Sequence, residues 1–378
     1  MSDEMILTNA RVVLADRVIL GTVVVRDGVI AEIAEGADRG DNLDGDYLLP
    51  GLVELHTDHL ESHYAPRPKV RWNPMASVQA HDAQVAASGI TTVFDALRMG
   101  LDEDAEMTGE EMHTLGSAIH VAKAAGRLRA DHYIHLRCEV SASDCLDSFH
   151  LLEDEPLVRL ASLMDHSPGQ RQFADLKSYK RYYQGKLKMS DADLEAFSAR
   201  RNRDSELYSR KHRVAIAAEC HDRGIVLASH DDATVAHVDE AIEQGIHVAE
   251  FPTTMDAAKA SHKAGMAVLM GAPNIVRGAS HSGNVSARQL AEAGVLDILS
   301  SDYVPFSMLQ ATFALSAAVS QIGLHEAVRM VSKTPAEAAG FTDRGEIAVG
   351  KRADLVRVRD DESVPLVRTV WREGQRVI

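Results

Sequence analysis

The sequence predicts an α/β protein: a (β/α)8 TIM barrel, with a small β domain built from both chain ends and a helical insertion. Three observations predict it. Apolar strand-like segments alternate with Ala-rich helical stretches from Pro50 onward, the mark of parallel βαβ units. Strand-like text with turn signals stands at each end of the chain. The length of 378 residues suits a barrel of ~250 residues plus a smaller companion.

Taken in order, residues 5 to 49 read as short strands, Ile6 to Val13, Thr22 to Val25 and Val29 to Ile33, the last two separated by an Asp27-Gly28 turn. The barrel strands expected next are Gly51–His56, Thr91–Asp95, Tyr133–Glu139, Val158–Asp165, Ile225–Ser229, His247–Phe251, Ala267–Met270 and Asp297–Ser301, with helical text such as Ala76 to Ser88 between them. Residues 167–213 break this rhythm. They are long, charged and helical, with basic residues at Lys177, Lys180, Arg181, Lys186 and Lys188, and read as an insertion between strands four and five on the face that tolerates loops. After Gly340 the chain returns to strands through GEIAVGKRADLVRVRD, Gly345 to Asp360, and Val367 to Trp371. The expected division is therefore 1–49 with 345–378 as a small β domain, and 50–344 as the barrel with its insertion at 167–213.

Composition narrows the function. A net charge of −16 argues against a nucleic-acid binder, which needs a basic surface to displace counterions. Cys138, Cys145 and Cys220 are odd in number and lack paired spacing, so a reducing cytoplasm without disulfides is expected. The stretch from Met1 to Ala15 carries Asp3 and Glu4 and no long apolar run, which predicts neither a signal peptide nor a membrane span. A homo-oligomer is compatible with this composition.

Chemistry concentrates at strand ends. PGLVELHTDHLESH, Pro50 to His63, closes an apolar strand with potential ligands, and residues two apart on a strand share a face, so His56 and Asp58 can point into the barrel mouth together. His135, Arg137 and Glu139 alternate along another strand, a polar row costly to bury without a metal or an anion. LASHDD, Leu227 to Asp232, delivers His230 at a strand end. SSDYVP, Ser300 to Pro305, delivers Asp302, a carboxylate able to bind a metal and to take the proton from an attacking water. One or two divalent ions per chain are expected, and oxygen-rich ligand sets of this kind accept zinc, manganese or magnesium.

PGLVELHTD, SSDYVP and the closing GEIAVGKRADLV together resemble the amidohydrolase superfamily from end to end. That resemblance implies a metal motif after the first strand, further ligands from strands four to six, and an aspartate on strand eight acting as base. His56-Thr57-Asp58 departs from the usual His-x-His of the first motif. AHDAQVAASGITTVFDAL (80–97), MDHSPGQRQF (164–173), SHDD at Ser229 and EFPTT (250–254) are similar to one branch, the diphosphatases of phosphonate degradation. Residue by residue, the resemblance supports His56, Asp58, His230 and Asp302, gives Glu139 the bridging position, makes His166 a ligand and leaves Glu250 to hydrogen-bond one. It implies hydrolysis of a small phosphorylated substrate, a ribosyl 5-triphosphate, with release of pyrophosphate. Arg137 is then the first candidate to meet the anion; Arg67, Lys69, Arg71, Arg98, Arg277, His281 and the Lys177, Lys180 and Arg181 group of a folded-over insertion follow. The rival activities are a cyclic-amide hydrolase or deaminase on the same scaffold, and a non-catalytic subunit of the phosphonate-degrading machinery.

Overall fold

The computed structural model describes residues 4–100, 107–171, 190–278, 284–360 and 364–378. Lys177, Lys180, Arg181, Lys186, Lys188 and His281 lie outside them. Eight strands, Leu52–Thr57, Ile90–Met99, Asp131–Glu139, Val158–Met164, Val226–His230, Val248–Glu250, Ala267–Gly271 and Ile298–Ser300, form one sheet in chain order with parallel neighbours. Each overlaps an expected segment. The first and last strands close the ring through Asp302: its N–H donates to the His56 carbonyl at 3.0 Å, and the Asp302 carbonyl accepts from the Asp58 N–H at 3.3 Å.

Alternation along the strands decides which side chains fill the barrel. Val53, Leu55, Phe94, Leu160, Ala228, Val248, Leu269 and Ile298 form its interior apolar cluster, with Phe341 packed against the Phe94 and Tyr133 rings. Apolar fill at this depth leaves polar groups to the C-terminal ends of the strands.

The second sheet takes strands from both chain ends. Glu4–Val13, Val18–Arg26 and Val29–Glu35 form a meander, and Tyr47–Pro50 lies parallel to the first of them. Leu355–Arg359 then pairs antiparallel with Tyr47–Pro50, Val356 opposite Leu49, which joins the two ends. The Asp27-Gly28 turn has φ of +49° and +79°, the primed hairpin geometry expected for that dipeptide. At Gly51, where the chain passes from this sheet into the barrel, a Cβ would sit 2.1 Å from Thr91 Oγ1.

The described part of the insertion is helical. Asp191–Asp204, N-capped by Ser190, runs through a π-helical turn, Ser205–Ser209, into Arg210–Arg223. The chain has no break at Arg213; the insertion and the helix preceding the fifth barrel strand are one continuous run. The wide turn has a local reason: Ser205 and Ser209 both donate to Asp165 Oδ2, at 2.8 and 2.7 Å, docking the run on the end of strand four. Cys138, Cys145 and Cys220 are free and buried. Among the described residues no helix is long and apolar enough to cross a membrane.

Candidate metal centre

Three strand ends turn through left-handed backbone at residues other than glycine: Asp231 (φ +58°), Phe251 (φ +52°) and Asp302 (φ +55°). Such conformations cost about 1 to 3 kcal/mol each and gather where side chains must be aimed. Here they ring the barrel mouth.

Two groups of ligand-type atoms stack within it. The first is His56, His135 and Glu250, all buried. Glu250 is the organiser: its Oε1 lies 3.2 Å from His56 Nδ1 and its Oε2 lies 3.1 Å from His230 Nδ1, so one carboxylate from strand six orients imidazoles from strands one and five. His135 packs edge-on against His56 at 4.9 Å between ring centroids and is held by the Leu55 carbonyl and Ser162 Oγ. The second group is His166, His230 and Asp231. Asp231 Oδ2 lies 3.6 Å from His166 Nε2 and 3.5 Å from His230 Nε2. Those separations match the donor–donor edges around a small divalent ion bound at ~2.1 Å. Asp231 Oδ2 is also buried without a hydrogen-bond partner, a loss that a cation would repair. The residues present therefore fit a metal.

Burial sets most of the protonation states. It lowers His56 well below the ordinary histidine value and His230 to about 3, leaving the neutral imidazoles that ligate metals. Burial also works on His166, but the charges of Glu139 and Asp231 outweigh it and push His166 up to about 9, so a cation would take the place of a proton there. Asp302 is raised to about 7 by burial and by the neighbouring charge of Asp58. Glu54, buried directly beneath, accepts from the His56 and Ser301 backbone N–H groups and is raised to about 8, chiefly by burial.

His56, His230, Asp302 and Asp58 are thus brought to one mouth. Asp58 is half-buried and accepts from Arg137 Nη1 at 3.2 Å, so Arg137 does face the site, with part of its charge directed at Asp58. Glu139 stands differently from its expected bridging position. Its Oε2 lies 2.5 Å from His166 Nδ1, and its Oε1 accepts from His166 N and Ser141 Oγ, so both oxygens orient His166 from behind. Between the histidines it is Asp231 Oδ2 that lies near two imidazole nitrogens, those of His166 and His230. Arg98 and Arg201 lie 3.7 Å from Glu139, Arg201 reaching in from the insertion. Arg67 and Arg277 are exposed and make no side-chain hydrogen bond or ion pair among the described residues; Lys177 and His281 fall outside those residues.

SHDD holds both His230 and Asp231, but only His230 carries a strand-end signal; alternation points Asp231 away, and its left-handed backbone returns it. Arg201 carries no local signal at all. Glu250→Ala removes the acceptor common to His56 and His230, and is expected to weaken metal affinity by roughly 10- to 100-fold, measured by competition with a chromogenic chelator. Unchanged affinity would place Glu250 outside the centre.

The model of the amidohydrolase family matches residues 76–378. The chain is 47% identical over 377 residues, 99% of its length and 100% of the relative, to an alpha-D-ribose 1-methylphosphonate 5-triphosphate diphosphatase of Escherichia coli strain K12. Among solved structures, N-acetylglucosamine-6-phosphate deacetylase from Pasteurella multocida superposes with a TM-score of 0.62 at 14% identity, covering 99% of each chain. A 5-methylcytosine deaminase from Klebsiella pneumoniae superposes with 0.64 at 15% identity, covering 99% of this chain and 98% of that one.

Proposed function

The chain belongs to the amidohydrolase family, and on that premise we propose that it is a metal-dependent hydrolase that converts α-D-ribose 1-methylphosphonate 5-triphosphate to the 5-phosphate and pyrophosphate. The observation that carries this reading is the 47% identity to a diphosphatase of that name along 99% of the chain. The deacetylase and deaminase likenesses, at 14% and 15% identity, speak for the fold alone.

His166, His230 and Asp231 would hold the metal, with His56, Asp58 and Asp302 as further donors at the same mouth; Glu139 and Glu250 fix the histidines from behind. A bound divalent cation, zinc, manganese or magnesium, lowers the pKa of water toward neutrality and offsets negative charge on phosphoryl oxygens. Water attacks the α-phosphorus, the bond from that phosphorus to the bridging α–β oxygen breaks, and pyrophosphate leaves. Asp302 takes the proton: burial and the charge of Asp58 raise its proton affinity above that of an ordinary carboxylate, which suits it to accept from water. Arg137 at Asp58, with Arg98 and Arg201 beside Glu139, supplies local positive field within a protein of net charge −16, which would otherwise repel a triphosphate.

The direct test is pyrophosphate release across a panel of ribosyl and nucleoside triphosphates, run beside cyclic amides. Release from the ribosyl phosphonate triphosphate is expected; amide cleavage with no release from any triphosphate would replace this reading with a cyclic-amide hydrolase. A protein that carries no metal after purification from metal-replete medium would favour a non-catalytic subunit. Arg137→Ala should lower kcat/KM for the triphosphate roughly tenfold or more, the scale of a lost charge-assisted hydrogen bond worth ~1.5 to 3 kcal/mol. Steady-state kinetics showing less than a twofold change would take Arg137 out of substrate binding.

A further inference from the structure

We propose a second metal site, for zinc or a similar nitrogen-preferring divalent ion, built from His59, His63 and His81 on the outer wall of the barrel. It lies among three elements: the helix His59–Tyr64 that leaves the mouth, the helix Pro74–Ala87, and the outward face of strands two and three. None of these three histidines contributes to the centre described above, and the site does not rest on the proposed reaction.

His59 and His63 are four apart, so one helical face carries both rings, 5.1 Å between centroids. Their Nε2 atoms converge on a single point: they lie 3.1 and 3.2 Å from the same atom, Gln84 Oε1. His81 stands three residues before Gln84 on the facing helix, and its ring centroid is 6.0 Å from His59 and 5.8 Å from His63. Three imidazoles and an amide oxygen are the donor set of a tetrahedral nitrogen-rich site, and no carboxylate is needed to complete it.

His81 supplies the independent observation. It is buried, its Nε2 donates to Asp95 Oδ1 at 2.8 Å, and its Nδ1 is buried with no hydrogen-bond partner. With the hydrogen on Nε2, the neutral ring carries a bare lone pair on Nδ1, which a purely structural histidine would direct to a donor. A carboxylate on the far nitrogen is also what orients a metal-bound histidine. Asp95 is itself fixed: Phe94 fills the barrel, so Asp95 faces outward, where its Oδ2 lies 2.7 Å from His132 Nδ1. His132 in turn stands 3.4 Å from Asp82, which accepts from the N–H groups of Arg129 and Ala130. The rear of the site is therefore rigid and buried, while His59 and His63 are half-buried and give an ion a way in from solvent.

The full-length chain carrying His56→Ala and His230→Ala, which takes a ligand from each of the two groups at the barrel mouth, is equilibrated with Zn²⁺, gel-filtered and assayed by elemental analysis. About one zinc per chain should remain, and adding His59→Ala with His63→Ala should remove it. Gln84→Ala, which removes an oxygen but no imidazole, should keep it. Asp95→Asn should weaken it by roughly 10- to 100-fold. No retained zinc in a chain that still melts cooperatively, or zinc indifferent to loss of His59 and His63, overturns the proposal. Should the doubly disabled chain not fold, zinc-edge anomalous scattering from wild-type crystals decides: a peak among His59, His63 and His81 supports the site, and its absence there in zinc-loaded protein refutes it.

Discussion

Asp302→Asn is expected to lower kcat by ~10² to 10⁴ while leaving KM within a few-fold of wild type, because an amide keeps the side chain's shape and one acceptor oxygen but cannot take up a proton. Asparagine is the informative choice. Asp302 sits at φ +55° and closes the barrel through backbone bonds to His56 and Asp58. Asparagine tolerates left-handed backbone better than alanine would, so the variant should fold and the loss should be chemical. The pH profile adds a second readout. Burial and the charge of Asp58 push Asp302 up to about 7, and a bound cation works in the opposite direction. Wild-type kcat should therefore fall on the acid side of a limb at or below about pH 7, where the base is protonated, and the residual activity of Asp302→Asn should lack that limb. Near wild-type kcat, or an unchanged acid limb, would move the base role elsewhere.

The sequence disclosed elements and strand-end chemistry more readily than the pairing of side chains across the barrel. Each barrel strand is an apolar run ending in turn or ligand residues, a local signal, and all eight expected segments overlap a strand. The place of His56, His230 and Asp302 at the barrel mouth was legible for the same reason, since polar residues terminate runs that are otherwise buried. What stayed hidden depends on contacts between distant segments. Alternation turned Glu139 inward correctly, but the end of strand four decides that its oxygens meet His166 and Ser141. Glu250 was expected to hydrogen-bond one ligand; that it serves two at once follows from strands one and five presenting Nδ1 atoms to opposite ends of its carboxylate. Asp231 reaches the mouth through a backbone conformation that its residue type does not announce. Arg201 arrives on a helix more than sixty residues after Glu139, and the docking of that helix depends on two serine hydroxyls at Asp165. The same reasoning explains the missed helix boundary: a π-helical turn keeps the run continuous through Arg213, with no glycine or proline to mark an end until Gly224.

The largest stability effect should come from Asp131, far from any catalytic residue. Asp131 opens the third barrel strand; its Oδ2 accepts from Arg344 at 2.9 Å and Arg352 at 2.8 Å, and its Oδ1 from Arg372 at 3.4 Å. Arg372 belongs to a strand of the second sheet, and Arg344 and Arg352 to the segment leading back into that sheet, so one carboxylate ties the barrel to the strands from the C-terminal end. Arg344 is further committed, donating to Thr92 Oγ1 and lying over the Phe341 ring. Asp131→Ala leaves three neighbouring guanidiniums short of their shared anion, with Asp343, Asp354 and Glu373 the remaining acidic partners among the described residues. Removing one member of such a mostly buried network costs about 3 to 5 kcal/mol, chiefly as uncompensated charge. The pH dependence has a definite sign. Burial disfavours the Asp131 carboxylate, but Arg352, Arg372 and Arg344 outweigh it and hold the group below its ordinary 3.8. A depressed carboxylate contributes stability that is present above the ordinary value and is lost as pH falls through the folded one. The gap in urea-unfolding free energy between wild type and Asp131→Ala should therefore be flat at neutral pH and narrow below about pH 4. A gap under about 1 kcal/mol at pH 7, the range of an ordinary surface ion pair, would mean that the arginines are adequately served by their other partners. A gap that widens toward acid would contradict the assigned charge state.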